Sequence, residues 1–148
     1  MKAEDEARLE ALLAPLKPTQ QAEVKSLFAR AHARERLPDE RKSETFTFRI
    51  GDFQMYVHVG LYPDGRPGEL FITTDKEGSF ARSALDAAAT STSMALQYGA
   101  PLIPIMEKWR GMSFPPAGVT GDPRYPMVTS PLDYMARRLI DFFKPKEG

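Results

Sequence analysis

The feature that most constrains the fold is a region of alternating apolar and polar residues, interrupted by short turn sequences. Phe46, Phe48 and Ile50 alternate with polar residues, and the alternation resumes after Gly51-Asp52 and continues from Phe53 to Leu61. A period of two residues is typical of a β-strand with one buried face. Gly51-Asp52 fits a two-residue hairpin turn. The pattern therefore predicts two antiparallel strands joined by a tight turn.

A second turn sequence extends this sheet. Pro63-Asp64-Gly65 places proline where it presets the first corner of a turn and glycine where the backbone needs a positive φ. The segment from Glu69 to Thr74 then supplies a third strand. We expect a three-stranded antiparallel meander, and its apolar face requires a cover of helices.

Helical spacing of apolar residues after the third strand predicts that cover. Ser79 can cap a helix that runs to Tyr98 and stops at Gly99. A short helix is predicted from Leu102 to Arg110, and Ser130-Pro131 begins a last helix with proline at its first position. The proline-rich segment between these two helices, residues 112–129, is predicted to be a long loop. The expected fold class is therefore α+β.

Two amphipathic helices precede the sheet and form an N-terminal helical arm. Their apolar residues follow helical spacing, and those selected as candidates for assembly are Leu9, Leu12, Leu16, Leu27 and Phe28. Isolated helices of this length are marginal in water, so the apolar stripes must pack against something. They can pack on the rest of the same chain, which is the simpler alternative, or on a second copy or a partner protein. We expect residues 1–42 to form the arm and a charged linker, and residues 43–148 to form the main domain.

The composition excludes several kinds of chemistry. The chain has no cysteine and only two histidines, which excludes disulfides, thiolate metal sites, thiol redox chemistry and the common multi-histidine zinc sites. Twenty Lys and Arg balance twenty Asp and Glu, so no overall charge favours nucleic acid or an anionic membrane. No apolar stretch is long enough to span a bilayer, and the first residues lack the features of a secretion signal. We expect a cytoplasmic protein that holds no cofactor and does not act on a membrane.

The junction between the third strand and the long helix is the first candidate binding site. Lys76, Gly78, Ser79 and Arg82 cluster there. Free backbone N–H groups at the N-terminus of a helix favour an anion, so a nucleotide or a single-stranded nucleic acid could bind through its phosphate. The simpler alternative is that Ser79 only caps the helix and that its basic neighbours are exposed to solvent.

Aromatic residues near helix ends and in the proline-rich segment form a second candidate, because such rings can stack on a nucleobase. The four are Tyr98, Trp109, Phe114 and Tyr125. Aromatic residues in these places more often cover a core. The acids that could hold Mg²⁺ together with a nucleotide are Glu69, Asp75, Glu77 and Asp86. Their spacing matches no dedicated metal loop, so we predict no metal site.

Several motifs that occur in one order over about 100 residues resemble a known family. They are Val59-Gly60-Leu61-Tyr62, Asp64-Gly65-Arg66-Pro67-Gly68-Glu69, Phe71-Ile72, Lys76-Glu77-Gly78-Ser79, Leu96-Gln97-Tyr98-Gly99, Pro101-Leu102, Phe114-Pro115, Gly118-Val119-Thr120, Asp133-Tyr134, Arg137 and Leu139. The sequence resembles the C-terminal, TSCPD-type domain of adenosylcobalamin-dependent (class II) ribonucleotide reductases, and would be a stand-alone homologue of that domain.

The resemblance implies a narrow range of functions. In those reductases the radical cysteine, the reducing cysteine pair and the cobalamin site lie in the large barrel, and shuttle cysteines follow the TSCPD-type region. A chain without cysteine is therefore not expected to be an enzyme on its own. We expect a non-catalytic binding or assembly module that self-associates into a homo-oligomer or docks on a partner protein, a reductase among the candidates. The alternatives are a nucleotide- or single-stranded nucleic-acid-binding protein that uses the Lys76 to Arg82 junction, and an accessory piece of a split ribonucleotide reductase.

Overall fold

A computed structural model describes residues 2–31, 33–75 and 80–146 of the chain. The chain divides into two compact units, Met1–Ala33 and Arg34–Gly148. The helices are α1 (Ala3–Leu13), α2 (Pro18–Ala31), α3 (Phe80–Gln97), α4 (Leu102–Trp109) and α5 (Pro131–Phe143). The strands are β1 (Ser43–Ile50), β2 (Phe53–Leu61), β3 (Pro67–Thr74), β4 (Gly118–Val119) and β5 (Met127–Val128). No helix among the described residues is long and apolar enough to cross a membrane.

The second unit is built on the antiparallel sheet β1-β2-β3, as the alternating pattern predicts. Phe48 pairs with Met55, and Val57 pairs with Ile72. These side chains share one face of the sheet and are buried, because residues two apart along a strand point to the same side. The turn between β1 and β2 begins at Gly51, whose φ of +56° lies in the left-handed region that glycine tolerates best.

Helices α3 and α5 cover the apolar face of the sheet. Leu85, Ala89 and Leu96 of α3 are buried in the core. On α5, the ring of Tyr134 meets the ring of Phe48 edge-on, with centroids 4.8 Å apart. Such edge-to-face pairs are favourable beyond the apolar area that they bury. The α+β class and the helix-covered meander are therefore confirmed.

The structure differs from the predicted elements in several places. Strand β3 begins at Pro67, two residues before the predicted start. The segment 112–129 contains the small two-stranded sheet β4-β5, which is too short to leave a period in the sequence. Helix α4 ends at Trp109. Ser79, which was predicted to cap α3, lies outside the described residues.

The last helix begins as its sequence predicts. Ser130 is the N-cap of α5, and its hydroxyl accepts a hydrogen bond of 2.9 Å from the backbone N–H of Asp133. Pro131 occupies the first helical position, where no backbone N–H is needed and its fixed φ suits the helix. This cap fixes the place where the buried carboxylate of Asp133 enters the core.

The first unit consists of α1 and α2, which are joined by a short turn. Leu13 is buried at the C-terminal end of α1, and Lys25 of α2 forms an ion pair of 2.9 Å with Glu10 of α1. Both side chains of this pair are about half exposed or more, so the pair contributes little to stability. The predicted division at residue 42 remains a prediction.

Candidate functional site

The predicted anion site at the strand-to-helix junction is described only at one end. Lys76, Gly78 and Ser79 lie outside the described residues. Arg82 lies in the first turn of α3 and is partly buried. Phosphate binding at this junction therefore remains a prediction.

The four aromatic candidates occupy different places. Tyr98 is 53% exposed just after α3. Trp109 and Phe114 are partly buried and pack against the core. Tyr125 is buried, and its hydroxyl donates to a carboxylate oxygen of Asp141. All four lie within the described ranges, and no ring contact joins any two of them. Base stacking on these residues remains a prediction.

The leucines selected as assembly candidates are among the exposed apolar residues of the first unit. Leu12 is 68% exposed and Leu27 is 53% exposed. Leu9, Leu16 and Phe28 are partly buried. Leu9, Leu12 and Phe28 also line an open groove between α1 and α2, with a volume of about 920 Å³. Charged residues of both helices surround this apolar floor: Asp5, Glu6, Arg8, Glu10 and Lys25.

The glycine-rich run that carries part of the family resemblance has a structural purpose. Gly60 lies opposite Glu69 in the β2–β3 ladder. The Glu69 side chain lies over Gly60 so closely that a Cβ there would come within 2.7 Å of the Glu69 Cδ. In this place Glu69 is buried and forms an ion pair with the guanidinium of Arg41. Gly60 therefore provides the space in which segment 34–42 is tied to the sheet.

Tyr62 fixes the same segment at a second point. A Cβ on Gly68 would lie 2.7 Å from Cε2 of the Tyr62 ring, so the ring packs directly on glycine backbone. The Tyr62 hydroxyl donates a hydrogen bond of 2.5 Å to the backbone oxygen of Glu35. Burial of the phenol, and then the Glu35 carboxylate, raise the pKa of Tyr62. The guanidinium of Arg66 lies 4.7 Å from the centre of the same ring, which adds a cation–π contact.

Asp133 is the most completely buried carboxylate described. Its oxygens accept hydrogen bonds from the backbone N–H of Gly111 at 2.8 Å and of Thr129 at 3.0 Å, and from the guanidinium of Arg137 at 2.7 Å. Burial alone would raise the pKa of Asp133, but the hydrogen bond from Arg137 and those from the two N–H groups outweigh it and hold the pKa at about 2. The carboxylate, on α5, thus holds residues just after α4 and β5.

A group of charged and phenolic side chains lies beside β1. Two nitrogens of Arg124 donate to Asp122, at 3.2 and 3.0 Å, and these side-chain hydrogen bonds lower the pKa of Asp122. Arg138 of α5 donates a hydrogen bond of 2.8 Å to the backbone oxygen of Thr47 in β1. Burial, and then the hydrogen bond with Asp141, raise the pKa of Tyr125 to about 12. Sequence patterns alone do not show that the loop with Asp122 and Arg124, helix α5 and strand β1 meet here.

The acids considered for Mg²⁺ are not gathered in one place. Glu69 is engaged by Arg41, Asp75 and Asp86 are exposed, and Glu77 lies outside the described residues. Among the residues that the structure describes, no group of three or more His, Asp or Glu is arranged to hold a metal ion.

The outer face of the β1-β2-β3 sheet is not among the sites predicted from the sequence. Tyr56 and Phe71 are exposed on this face, at strand positions where the alternation places mostly polar residues. The signal in the sequence is an aromatic residue on the solvent side of a strand, where a polar residue is usual. Arg138 leaves no such signal, because it lies on α5, against the rings of Phe46 and Phe48, and only the fold brings it to the β1 edge.

Comparison with known proteins identifies the family. The TSCPD domain family matches residues 28–143, which include all of the β1-β2-β3 sheet and helices α3, α4 and α5. The chain belongs to the TSCPD domain family, which confirms the resemblance inferred from the sequence motifs.

The curated relatives are named vitamin B12-dependent ribonucleotide reductases. The protein of Rhodopirellula baltica is 48% identical over 106 residues, which cover 72% of this chain and 10% of the relative. That of Streptantibioticus cattleyicolor is 39% identical over 126 residues, which cover 85% of this chain and 21% of the relative. That of Bradyrhizobium diazoefficiens is 41% identical over 107 residues, which cover 72% of this chain and 8% of the relative. The chain thus spans about a tenth to a fifth of the length of these relatives. No solved structure matches the chain.

Proposed function

We propose that this chain is a non-catalytic binding and assembly module that docks on a protein partner, or on a second copy of itself, through the α1–α2 hairpin. The observation that carries this proposal is the exposure of apolar side chains on that hairpin. Leu12 is 68% exposed and Leu27 is 53% exposed, and Leu12 borders the groove floored by Leu9 and Phe28. Grooves with an apolar floor and a charged rim are suited to an amphipathic helix.

The first partner to test is a vitamin B12-dependent ribonucleotide reductase. The family match and the curated relatives support this choice, since the TSCPD-type region of those relatives is part of the reductase chain itself. The absence of cysteine from these 148 residues supports a role in binding, because the thiol chemistry of such an enzyme would have to come from the partner. An accessory piece of a split reductase is one form of this function.

The experiment measures assembly and partner capture with matched variants. Size-exclusion chromatography with light scattering gives the mass of the wild type and of Leu12→Ser combined with Leu27→Ser, and biolayer interferometry measures binding to an immobilised reductase. Val119→Ser is the control, because Val119 is 66% exposed in the second unit. We expect the double leucine variant to lose at least tenfold in affinity, since removing each buried leucine from an interface costs about 1–3 kcal/mol.

Two results would contradict the proposal. One is a wild type that is monomeric and does not bind the reductase. The other is self-association or reductase binding that the double leucine variant retains in full, with unchanged helicity by circular dichroism.

Nucleotide binding at the Lys76 to Arg82 junction is the alternative function. Its support from the structure is limited to Arg82, which lies in the first turn of α3, where the helix dipole favours an anion. A thermal-shift panel of deoxynucleotides tests it, since a ligand present at 100 times its Kd stabilises a protein by about 2.7 kcal/mol. If a deoxynucleotide raises the melting temperature of the wild type and of the Lys76→Ala, Arg82→Ala double variant equally, this site is ruled out.

A further inference from the structure

The outer face of the β1-β2-β3 sheet carries two exposed aromatic rings on neighbouring strands. Tyr56 on β2 is 40% exposed and Phe71 on β3 is 53% exposed. Phe71 pairs with His58, and Tyr56 pairs with Thr73, so the two rings are diagonal neighbours on one surface. Diagonal positions in an antiparallel pair lie about 7–8 Å apart, within reach of aromatic side chains. Exposed rings on adjacent strands form a platform on which successive nucleobases can stack.

A small pocket with two arginines adjoins this platform at the β1 edge. Thr47, Arg49 and Arg138 line it, together with Asp122 and Tyr134, and its volume is about 380 Å³. Arg138 reaches this edge from the covered side of the sheet: its guanidinium lies 5.2 Å from the ring centres of Phe46 and Phe48 and donates to the backbone oxygen of Thr47. The acid in the pocket is already engaged, because Asp122 accepts hydrogen bonds from Arg124. The two arginines therefore leave the pocket cationic.

The strand register connects the pocket to the rings. Thr47 pairs directly with Tyr56, and Arg49 pairs with Gln54, which is two residues from Tyr56 on the same face. Neighbouring strands lie about 4.8 Å apart, so a base on Tyr56 has its backbone within reach of the pocket. The Gln54 amide, which donates to the Tyr56 hydroxyl, is placed beside the edge of such a base.

The charges across the face differ between its two sides. Arg49 and Arg138 lie together at the β1 side, near the exposed Asp52 of the β1–β2 turn, and the exposed Asp75 follows β3 on the opposite side. The two arginines form a local cationic site for one phosphate at the β1 edge, from which the bases extend across β2 and β3. This arrangement matches the general form of single-strand recognition, in which cations follow the backbone and aromatic rings receive the bases.

We propose that the outer face of the sheet binds single-stranded nucleic acid. Tyr56 and Phe71 stack on successive bases, and Arg49 and Arg138 contact a phosphate. The residues of this site belong neither to the α1–α2 hairpin nor to the Lys76 to Arg82 junction, so the proposal does not depend on the function proposed above.

Fluorescence anisotropy with a short labelled oligo(dT) and a matching oligo(rU) at low salt tests the proposal with the full chain. We expect Tyr56→Ala and Phe71→Ala each to weaken binding at least fivefold, because base–aromatic stacking contributes about 1–3 kcal/mol per base. Arg49→Ala should weaken binding and reduce the slope of log K against log salt by about 0.7, the value for one phosphate contact on a single strand. Met94→Ala, which removes a 37% exposed side chain of α3, the helix that covers the opposite face of the sheet, is the control and should bind as the wild type does.

Three outcomes would overturn the proposal. The first is a wild type that does not bind either oligonucleotide. The second is binding that Tyr56→Ala combined with Phe71→Ala leaves unchanged while circular dichroism shows a folded protein. The third is a double variant that retains oligonucleotide binding but no longer binds the reductase, which would make the face a protein interface. A parallel measurement with duplex DNA of the same sequence should give weaker binding than the single strand.

Discussion

Replacing Asp133 by asparagine tests whether its buried carboxylate holds the second unit together. The substitution keeps the shape of the side chain but replaces one acceptor oxygen with an amide that donates. Thr129 N–H, Gly111 N–H and Arg137 all donate to the native carboxylate. The NH₂ group of asparagine would therefore face at least one of these donors and leave it without an acceptor. Asp133 is 2% exposed, and water cannot easily replace the lost contact.

The expected loss in the free energy of unfolding follows from the pKa. The pKa of Asp133 is about 2 in the folded protein, against an ordinary value of 3.8. Since one pKa unit corresponds to about 1.4 kcal/mol, the ionised carboxylate contributes about 2 kcal/mol. Leaving a buried donor without an acceptor adds about 1 kcal/mol or more. We expect Asp133→Asn to destabilise the unit by about 3 kcal/mol near neutral pH.

The sign of the pH dependence gives a second test. Because folding lowers the pKa of Asp133, its contribution is fully present above pH 3.8 and is lost as the pH falls toward about 2. The wild type should lose this part of its stability over that range. Asp133→Asn cannot titrate there, so the difference between the two proteins should shrink as the pH falls.

Urea unfolding, followed by the fluorescence of the single tryptophan, Trp109, measures this difference. Trp109 packs against the core of the second unit, so its signal reports on the unit that contains Asp133. With an m-value of about 2 kcal/mol/M, the midpoint should fall by about 1.5 M. Glu107→Gln, which alters an exposed carboxylate on α4, should change it little. An unchanged midpoint in Asp133→Asn, or a difference that stays constant down to the folded pKa, would refute the reasoning.

Three further substitutions can be measured in the same assay. Gly60→Ala should destabilise by about 2–4 kcal/mol, because its Cβ would displace the buried Glu69 side chain; a smaller loss would mean that the carboxylate relocates without cost. Ser93→Ala should cost about 1–3 kcal/mol, since the Ser93 hydroxyl accepts from the Leu70 N–H at 2.8 Å and has the carbonyl oxygens of Ala89 at 2.9 Å and Leu70 at 3.2 Å as acceptors for its proton; no change would show that water replaces it. Tyr125→Phe should cost about 1 kcal/mol below pH 10. As the pH rises from 10 to the folded pKa of about 12, the wild type should lose about 2–3 kcal/mol relative to the variant, because a raised pKa favours the protonated phenol, so the order of stability should reverse; a wild-type advantage that grows with pH would contradict this.

The sheet could be predicted because its information is local. Each strand alternates every two residues, and each turn contains a residue with a specific backbone preference, such as Gly51 with its positive φ. The helix that starts at Pro131 could be predicted for the same reason, since a capping serine and a proline at the first position lie within a few residues. Such signals need no knowledge of distant contacts.

The contacts that hold the second unit together could not be predicted in the same way. Arg41 and Glu69 are 28 residues apart, and neither residue type indicates burial. The charged residues around Arg41 are most simply interpreted as a solvated linker. Only the space over Gly60 shows why Glu69 can be buried beside Arg41. Similarly, the small β4-β5 sheet is made of two-residue strands, which are too short for any periodic pattern.

The candidate sites show the same limit. The exposed leucines at positions 12 and 27 were selected from helical spacing, and their exposure in the structure is what supports a docking role. The four aromatic candidates were selected by residue type and neighbouring helix ends, and those criteria carry no information on distance. The Arg49 and Arg138 pocket needed the fold, because the two residues are separated by most of the second unit in sequence.

The motifs that identify the family also indicate where function should be sought. Gly60, Gly68 and Glu69 are explained by contacts inside the second unit, and so is Asp133. A resemblance that rests on such residues concerns the fold, since these residues make contacts inside the unit. It does not specify what the exposed surfaces bind. A substitution at Gly60 should therefore reduce stability and every binding activity together, whereas Tyr56→Ala should reduce one binding activity and leave stability unchanged.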